Sequence, residues 1–442
     1  MNASILTAAS LPAELPIRPV KGPIDLNIAV PGSKSITNRA LVIGALADGP
    51  VLLRGALFAD DTRYMVDGLK QLGFQVTSDA AADLVRVEGL GGQIPARGAE
   101  LFLGMAGTTM RFLSALVCLG RGKFRLDGGP RMRERPIEDL LEGLRALGID
   151  ARCELDNNCP PVIVEAAGLP GGKVPVDGGR SSQYTSALLM ITPYAQAPLE
   201  VEVTGEFVSR PYIELTLRTM SDFGVLTASD GRVYAPTHGV KYRAREYEIE
   251  GDATAATYFL AAAAILGGRV AVTNLRADSP QGDVHFADFL GRMGCHVRQG
   301  FLAGHRGIEV SRDPKTPLQP ITVDLNDMPD VAQTLAVVAL FAEGTSHFIN
   351  VGNLRIKETD RLAALGTELT RLGATVKEGE DELEITPGTP KDAVVETYDD
   401  HRMAMALALV GLARPGVTIK HPACVAKSYP EYFTDLERLR RT

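Results

Sequence analysis

Several short stretches of this sequence set cations, hydroxyls, carboxylates and glycine just ahead of strongly apolar runs. Ser33-Lys34-Ser35 leads to Asn38-Arg39, Gly107-Thr108 to Arg111, and Asp400-His401 to Arg402. Ser181-Ser182-Gln183, Asp252 and Asp330 hold the same place before three further runs. Hydroxyls, glycine and Asp at such places serve as helix N-caps. Capping does not require Lys34, Arg39 or Arg402, and a cation at the positive end of a helix is unfavourable unless an anion shares the site. The combination points to a highly anionic ligand, held by backbone N–H groups and charged side chains together. Three polar stretches add cations: 131–136 with Arg131, Arg133 and Arg135; 355–361 with Arg355, Lys357 and Arg361; and Ala426-Lys427-Ser428. A single run of this kind is ordinarily solvated surface charge. Here each shortly precedes an amphipathic segment of the repeat, the place for an anion-binding loop.

These residues are placed by a repeat. Amphipathic segments ending in an apolar residue plus Gly fall at 65–73, 137–148, 213–224, 286–294 and 362–373, and a sixth at 432–439 closes the chain. In the second, Ile137, Leu140, Leu141, Leu144 and Leu147 share one face, while Glu138, Glu142 and Arg145 face away. That is a half-exposed helix closed by a glycine C-cap. Between them lie segments apolar nearly all round, at 39–46, 110–119, 184–191, 255–266, 331–341 and 403–412. A helix without a polar face must be buried. The first four are followed by strand-like stretches at 51–53, 123–126, 199–203 and 269–272. The chain therefore carries six units of roughly 70–80 residues, longer than common solenoid repeats. Divided as three plus three, they make two similar α/β domains. The polar stretch 241–250 marks a crossing between them.

Composition bounds the function. The 442 residues exceed what one core usually serves, with 23% charged and 45% hydrophobic side chains. The net charge of -8, from 54 acidic and 46 basic residues, argues against a broad nucleic-acid or membrane surface. Cys118, Cys153, Cys159, Cys295 and Cys424 form no CxxC pair, so neither a zinc site nor a disulfide framework is expected, and a reducing compartment fits. The first basic residue is Arg18, which fits neither a secretory signal nor a transit peptide, and the apolar stretches are too short to span a bilayer. A cytoplasmic protein is expected. Pro31-Gly32-Ser33-Lys34-Ser35 lacks P-loop spacing, no GxGxxG or GxSxG is suitably placed, and the seven His show no HExxH.

The motifs together resemble the 5-enolpyruvylshikimate-3-phosphate synthase family of enolpyruvyl transferases. The resemblance rests on the string at 31–35 with Asn38-Arg39-Ala40-Leu41, Ala106-Gly107-Thr108 with Met110-Arg111, Arg133-Glu134-Arg135-Pro136, and Ser181-Ser182-Gln183. It continues through Glu250-Gly251-Asp252, Pro329-Asp330, Lys357-Glu358-Thr359-Asp360-Arg361, Asp400-His401-Arg402-Met403-Ala404-Met405 and Ala426-Lys427. Only about the first 15–20 residues fall outside it, and they read as a loose extension. The resemblance implies an inside-out α/β barrel fold: two similar domains, each of three βαβαββ repeats with buried helices inside a sheet-covered shell. The implied domains are 33–250, and 1–32 with 251–442, with the active site in the cleft between them and closure on ligand binding.

Carried over residue by residue, the resemblance implies that shikimate 3-phosphate meets Lys34, Ser35, Arg39, Thr108, Ser181, Ser182, Gln183, Ser209, Tyr212, Asp330, Asn353 and Lys357. Phosphoenolpyruvate would meet Lys34, Gly107, Arg135, Gln183, Arg361, Arg402 and Lys427. The implied chemistry is addition followed by elimination. Asp330 is the base at the 5-hydroxyl, helped by Lys357; Glu358 protonates the methylene carbon; Lys34, Arg135 and Lys427 stabilise the departing phosphate. No metal or organic cofactor is needed, glyphosate is the implied inhibitor, and a monomer is expected. Two departures stand out: Met105 replaces the family's usual Asn before Ala-Gly-Thr, and Phe112 replaces the Pro that commonly follows Met-Arg. Both predict altered glyphosate sensitivity. The nearest alternative, a UDP-N-acetylglucosamine enolpyruvyl transferase, uses a reactive Cys on a mobile loop; Cys118 lies instead in an apolar segment. A non-catalytic polyanion scaffold would not need Asp330 and Glu358.

Overall fold

The computed structural model describes residues 8–302 and 305–440. The chain divides into two compact units, one of Gly32–Ile249 and one of Met1–Pro31 with Glu250–Thr442.

The Gly32–Ile249 unit contains α1 (Lys34–Leu46), α2 (Asp60–Gln71), α3 (Gly107–Leu116), α4 (Glu138–Ala146), α5 (Ser182–Ile191) and α6 (Pro211–Asp222). The other unit contains α7 (Ala253–Leu266), α8 (Phe286–Arg292), α9 (Ala332–Ala339), α10 (Arg361–Arg371), α11 (His401–Ala413) and α12 (Tyr432–Leu436). Odd-numbered helices are the ones apolar all round, and they lie in the cores: every residue of α7 except Leu266 is buried, and α11 is buried from His401 to Leu412. Burying each Leu, Ile or Val contributes about 1.5–3 kcal/mol, so these helices carry much of the folding energy. The even-numbered helices α2, α4, α6, α8 and α10 bury one face, and each stops at a glycine in the left-handed region. These are Gly73, Gly148, Gly224, Gly294 and Gly373, with φ from 80° to 105°. A side chain with a Cβ is strained there, which is why Gly ends each helix.

The strands complete βαβαββ circuits. Gly98–Phe102 leads through α3 to a parallel partner, Arg121–Asp127, and then through α4 to the hairpin Asp150–Cys153 and Val162–Ala167. Gly172–Asp177, α5, Leu199–Thr204, α6 and the Thr227–Ser229/Val233–Pro236 hairpin repeat the pattern. Parallel neighbours require such a helical crossover. In the remaining sheet of this unit the opening strand comes from the far end, Glu246–Glu248 lying parallel to Pro50–Arg54.

The second unit repeats the scheme. Ile24–Ile28 lies parallel to Gly268–Val272 across α7, and Thr322–Asp324 parallel to Ser346–Ile349 across α9. Ala393–Val395 lies parallel to Val417–Lys420 across α11. Among the described residues that last sheet has no hairpin; Glu14–Pro16 pairs antiparallel with Val417–Lys420 instead. This corrects the expectation of a loose N-terminal extension. Residues 1–7 lie outside the described residues, but Ala8 donates its N–H to the Pro430 carbonyl, and Ile17 is buried and bonded to Val417. A three-residue strand with Pro at its end carries no periodic signal of its own; its partner strand creates it. Among the described residues no helix is long and apolar enough to cross a membrane.

Candidate active site

The helix starts position the site residues, and the capping reading holds at four of them. Ser33, Ser181, Asp252 and Asp400 each accept a backbone N–H of the first turn with their side chains. Capping is therefore present, and the cations stand beside it.

In Gly32–Ile249, Lys34 is the first residue of α1, and its Nζ lies 3.3 Å from the carboxylate of Asp61, which is itself buried. Arg39, one turn on, is 1% exposed. Its Nε donates to Thr216 Oγ1 at 2.7 Å, Nη1 to the Ser35 carbonyl at 3.0 Å, and Nη2 to Ser186 Oγ and the Tyr212 carbonyl at 3.2 and 3.0 Å. Its carbon lies 5.3 Å from the centre of the Phe112 ring. These hydrogen-bond partners are neutral oxygens, so burial dominates and lowers the guanidinium to about 10, which leaves it charged at neutral pH. Gln183 donates from Nε2 to Thr108 Oγ1 at 3.3 Å, tying the starts of α5 and α3 together. Ser209 sits in the left-handed region at φ 58°, just ahead of α6, and its carbonyl accepts from Tyr212.

Gly107 explains itself. A Cβ there would lie 2.7 Å from both Arg111 Nη1 and Arg135 Nη2, so with glycine at this place the two guanidinium groups close over the start of α3 without having to shift. Arg111 donates to the carbonyls of Gly107 and Pro136, and Arg135 to that of Met105 at 3.4 Å. Of the basic stretch 131–136, Arg133 forks onto Asp127 and Arg131 bonds Glu134, whereas Arg135 is buried. Cys118 is buried inside this unit, donates to the Ser114 carbonyl and has its thiol pushed up by burial, the profile of a core residue.

In the second unit the site residues form an alternating chain of charge. Arg361, the first residue of α10 and 1% exposed, donates to Asp400 at 2.7 Å, Asp330 at 3.0 Å and Glu358 at 2.8 Å. Arg402 donates to the other oxygen of Asp330 at 2.7 Å, and Lys427 lies 3.1 Å from the other oxygen of Glu358. The order is Arg402–Asp330–Arg361–Glu358–Lys427, with Asp400 against Arg361. Burial works against the charge on Arg361, but Asp400, Glu358 and Asp330 outweigh it and raise the guanidinium above its ordinary value. Arg355, by contrast, braces its own loop by bonding Asp360, the N-cap of α10, and Glu378. Asn353 lies in the short helical turn Gly352–Ile356 and Lys357 directly follows it, ahead of Glu358.

The sequence motifs thus gather in two places: Lys34, Ser35, Arg39, Gly107, Thr108, Arg135, Ser181, Ser182, Gln183, Ser209 and Tyr212 in one unit, and Asp330, Asn353, Lys357, Glu358, Arg361, Arg402 and Lys427 in the other. Sequence reasoning did not single out the groups that hold them, chiefly Asp61, Ser186 and Thr216, or the buried Asp283, which accepts from the Thr254 hydroxyl. Burial foremost, and then the field of Asp330, push Asp283 up to about 7. Asp61 sits inside α2 with no motif to mark it.

A chain with this architecture and these clusters has close relatives. It is 46% identical over 413 residues to the 3-phosphoshikimate 1-carboxyvinyltransferase of Nostoc punctiforme, covering 93% of this chain and 96% of that one. It is 46% identical over 444 residues to the chloroplastic 3-phosphoshikimate 1-carboxyvinyltransferase of Arabidopsis thaliana, covering 96% and 84%. Among solved structures, the EPSP synthase of Acinetobacter baumannii superposes with a TM-score of 0.79 at 24% identity, covering 96% of this chain and 97% of that one. The enolpyruvyl transferase NikO of Streptomyces tendae gives 0.74 at 18%, again covering 96% and 97%. These two likenesses establish the two-domain inside-out α/β fold. The family model for EPSP synthase (3-phosphoshikimate 1-carboxyvinyltransferase) matches residues 19–436, spanning every cluster described above, and the chain belongs to that family.

Proposed function

We propose that this protein transfers the enolpyruvyl group of phosphoenolpyruvate to the 5-hydroxyl of shikimate 3-phosphate and releases phosphate. It is the step of the shikimate pathway named by its relatives, leading towards aromatic amino acids. The observation that carries the assignment of roles is the chain Arg402–Asp330–Arg361–Glu358–Lys427, in which each of two carboxylates lies between two cations.

Asp330 removes the proton of the 5-hydroxyl, with Lys357 beside it, as the oxygen bonds to C2 of phosphoenolpyruvate. Glu358 delivers a proton to C3, which becomes a methyl group. Elimination reverses the proton transfer at C3: Glu358 recovers its proton, the C2–O bond to phosphate breaks, and the double bond re-forms. Lys34, Arg135 and Lys427 stabilise the charge gathering on phosphate. Glu358 can act as an acid because anionic substrates give Arg361 and Lys427 new partners and weaken their hold on it. Shikimate 3-phosphate is held by Lys34, Ser35, Arg39, Thr108, Ser181, Ser182, Gln183, Ser209 and Tyr212, joined by Asp330, Asn353 and Lys357. Phosphoenolpyruvate is held by Lys34, Gly107, Arg135, Gln183, Arg361, Arg402 and Lys427. The protein works as a cytoplasmic monomer without a cofactor.

The test is phosphate release from purified protein given both substrates, with Asp330→Ala and Glu358→Ala alongside. Release that needs both substrates and falls by about 10²–10⁴-fold in each variant is expected. Absence of release from folded wild-type protein, or variants as active as wild type, would sink the reading. Glyphosate competes with phosphoenolpyruvate, and Met105, whose carbonyl accepts from Arg135, modulates that competition. Met105→Asn is expected to shift glyphosate inhibition and the KM for phosphoenolpyruvate several-fold, about 1 kcal/mol; unchanged values of both remove Met105 from the site.

A further inference from the structure

Four residues upstream of Arg402, the backbone takes an unfavourable course. Tyr398 and Asp399, the two residues before the N-cap Asp400, both lie in the left-handed region, with φ of 54° and 55°. Left-handed backbone at a residue bearing a Cβ costs roughly 1–2 kcal/mol, so two in succession persist only where neighbours hold them.

The holding groups are on α10. Arg361 opens that helix and Glu368 lies seven residues later, two turns along the same face. The rest of the stripe is Leu362, Ala364, Leu365 and Leu369, all buried, yet Glu368 within it is 0% exposed. A carboxylate in an apolar stripe is costly unless its oxygens are satisfied. They are: Tyr398 donates its hydroxyl to Oε1 at 2.7 Å, the Glu396 N–H donates to Oε2 at 3.2 Å, and Arg371 lies at 3.4 Å. At the other end of the stripe Arg361 bonds Asp400. The turn is closed by the Asp400 N–H on the Thr397 carbonyl, and the Thr397 hydroxyl bonds the Lys420 carbonyl. Helix α10 therefore grips residues 396–400 at two points, on either side of the left-handed pair. Asp400 in turn accepts the Arg402 N–H at 2.9 Å, which sets where α11 begins and where Arg402 stands against Asp330.

We infer that Glu368 and Tyr398 are positioning residues for phosphoenolpyruvate binding: their bond fixes the strained turn that aims Arg402 and Asp400. This rests on the function proposed above. Burial foremost, and then the bond to Glu368, push the Tyr398 hydroxyl up to about 12, which keeps it a donor.

Tyr398→Phe removes one oxygen and leaves the ring. Glu368→Gln keeps the shape but cannot accept from both Tyr398 and the Glu396 N–H. Each is expected to raise the KM and the calorimetric Kd for phosphoenolpyruvate by about tenfold, the scale of one hydrogen bond to a charged group. The kcat and the KM for shikimate 3-phosphate should stay within about twofold of wild type. Leu369→Val, on the same stripe but outside the clamp, should lower the melting temperature without moving the phosphoenolpyruvate KM. An unchanged phosphoenolpyruvate KM and Kd in Tyr398→Phe would overturn the inference. So would a rise in both substrate KM values that Leu369→Val reproduces, since that is plain destabilisation. Wild-type protein that turns over both substrates while the variants behave normally disproves the clamp alone. Wild-type protein that neither binds nor consumes phosphoenolpyruvate removes the proposed function and the clamp with it.

Discussion

The two units grip charge in opposite ways. In Gly32–Ile249 the buried Arg39 is surrounded by hydroxyls and carbonyls and stacked on Phe112, with its hydrogen bonds made to neutral oxygens. In the other unit Arg361 is equally buried but holds three carboxylates, each shared with further groups. The first arrangement orients a cation while leaving its charge largely uncompensated, which suits tight, lasting hold on a phosphate or carboxylate. The second holds cations and carboxylates in mutual neutralisation, the arrangement on which the proposed exchange of partners with anionic substrates rests. Under the proposed mechanism both proton-transferring carboxylates, Asp330 and Glu358, lie in the second unit, while most of the groups proposed to hold shikimate 3-phosphate lie in the first.

This contrast can be broken most severely at Arg361. Arg361→Ala leaves Asp330, Glu358 and Asp400 facing one another without their shared cation. Breaking a buried pair in this way costs about 3–5 kcal/mol of stability, and kcat/KM should fall by at least about 10³-fold. Denaturant unfolding and phosphate release read both; a variant with wild-type stability would show that the network is not mutually neutralising. A smaller effect is expected at Arg39. Arg39→Lys keeps the charge but loses the fork that meets Thr216, Ser35, Ser186 and Tyr212 together. The KM for shikimate 3-phosphate should rise by about 10–100-fold, with phosphoenolpyruvate far less affected; equal rises for both substrates would contradict an orienting role.

The gentlest probe is Asp283. Its folded value is raised to about 7 from an ordinary 3.8, by burial first and Asp330 second, so the folded state favours the protonated form. Between those values the folded chain binds more protons than the unfolded one, so this residue lowers stability progressively as pH rises through that window. Below about pH 4 the cost is absent, and above about pH 7 it is complete. Asp283→Asn should therefore melt at increasingly higher temperature relative to wild type from pH 4 to pH 7, with the difference constant beyond. A difference that shrinks over that range would mean that Asp283 is charged and paired.

Much of this molecule was legible in its sequence because burial imposes periodic patterns. The six all-apolar helices and the five glycine-stopped ones were readable for that reason, and so were the strands after α1, α3, α5 and α7. The strands after α9 and α11, Ser346–Ile349 and Val417–Lys420, are only four residues long, and the first, Ser-His-Phe-Ile, does not even alternate polar with apolar, too little to separate from a loop. Long-range partnering was also invisible: nothing local in Glu246–Glu248 says that it lies beside Pro50–Arg54. At the site, residue types revealed that cations gather but not which ones turn inward. Arg131, Arg133 and Arg135 alternate in sequence, yet only the last is buried, because Asp127 and Glu134 hold the other two. Asp61 and Thr216 sit in ordinary helical sequence, and only the packing of α2 and α6 brings them to Lys34 and Arg39.

The parallel pairing of Ile24–Ile28 with Gly268–Val272 has a consequence for synthesis on the ribosome. Asp25 meets Arg269, 244 residues later, and the whole Gly32–Ile249 unit is made in between. At about 5–20 residues per second, this strand, with Ile24, Leu26 and Ile28 on one face, waits roughly 10–50 s for its neighbour, while the intervening unit can fold as soon as it emerges. The protein therefore finishes the insert before the host, and the early strand is the stretch a chaperone has most reason to shield.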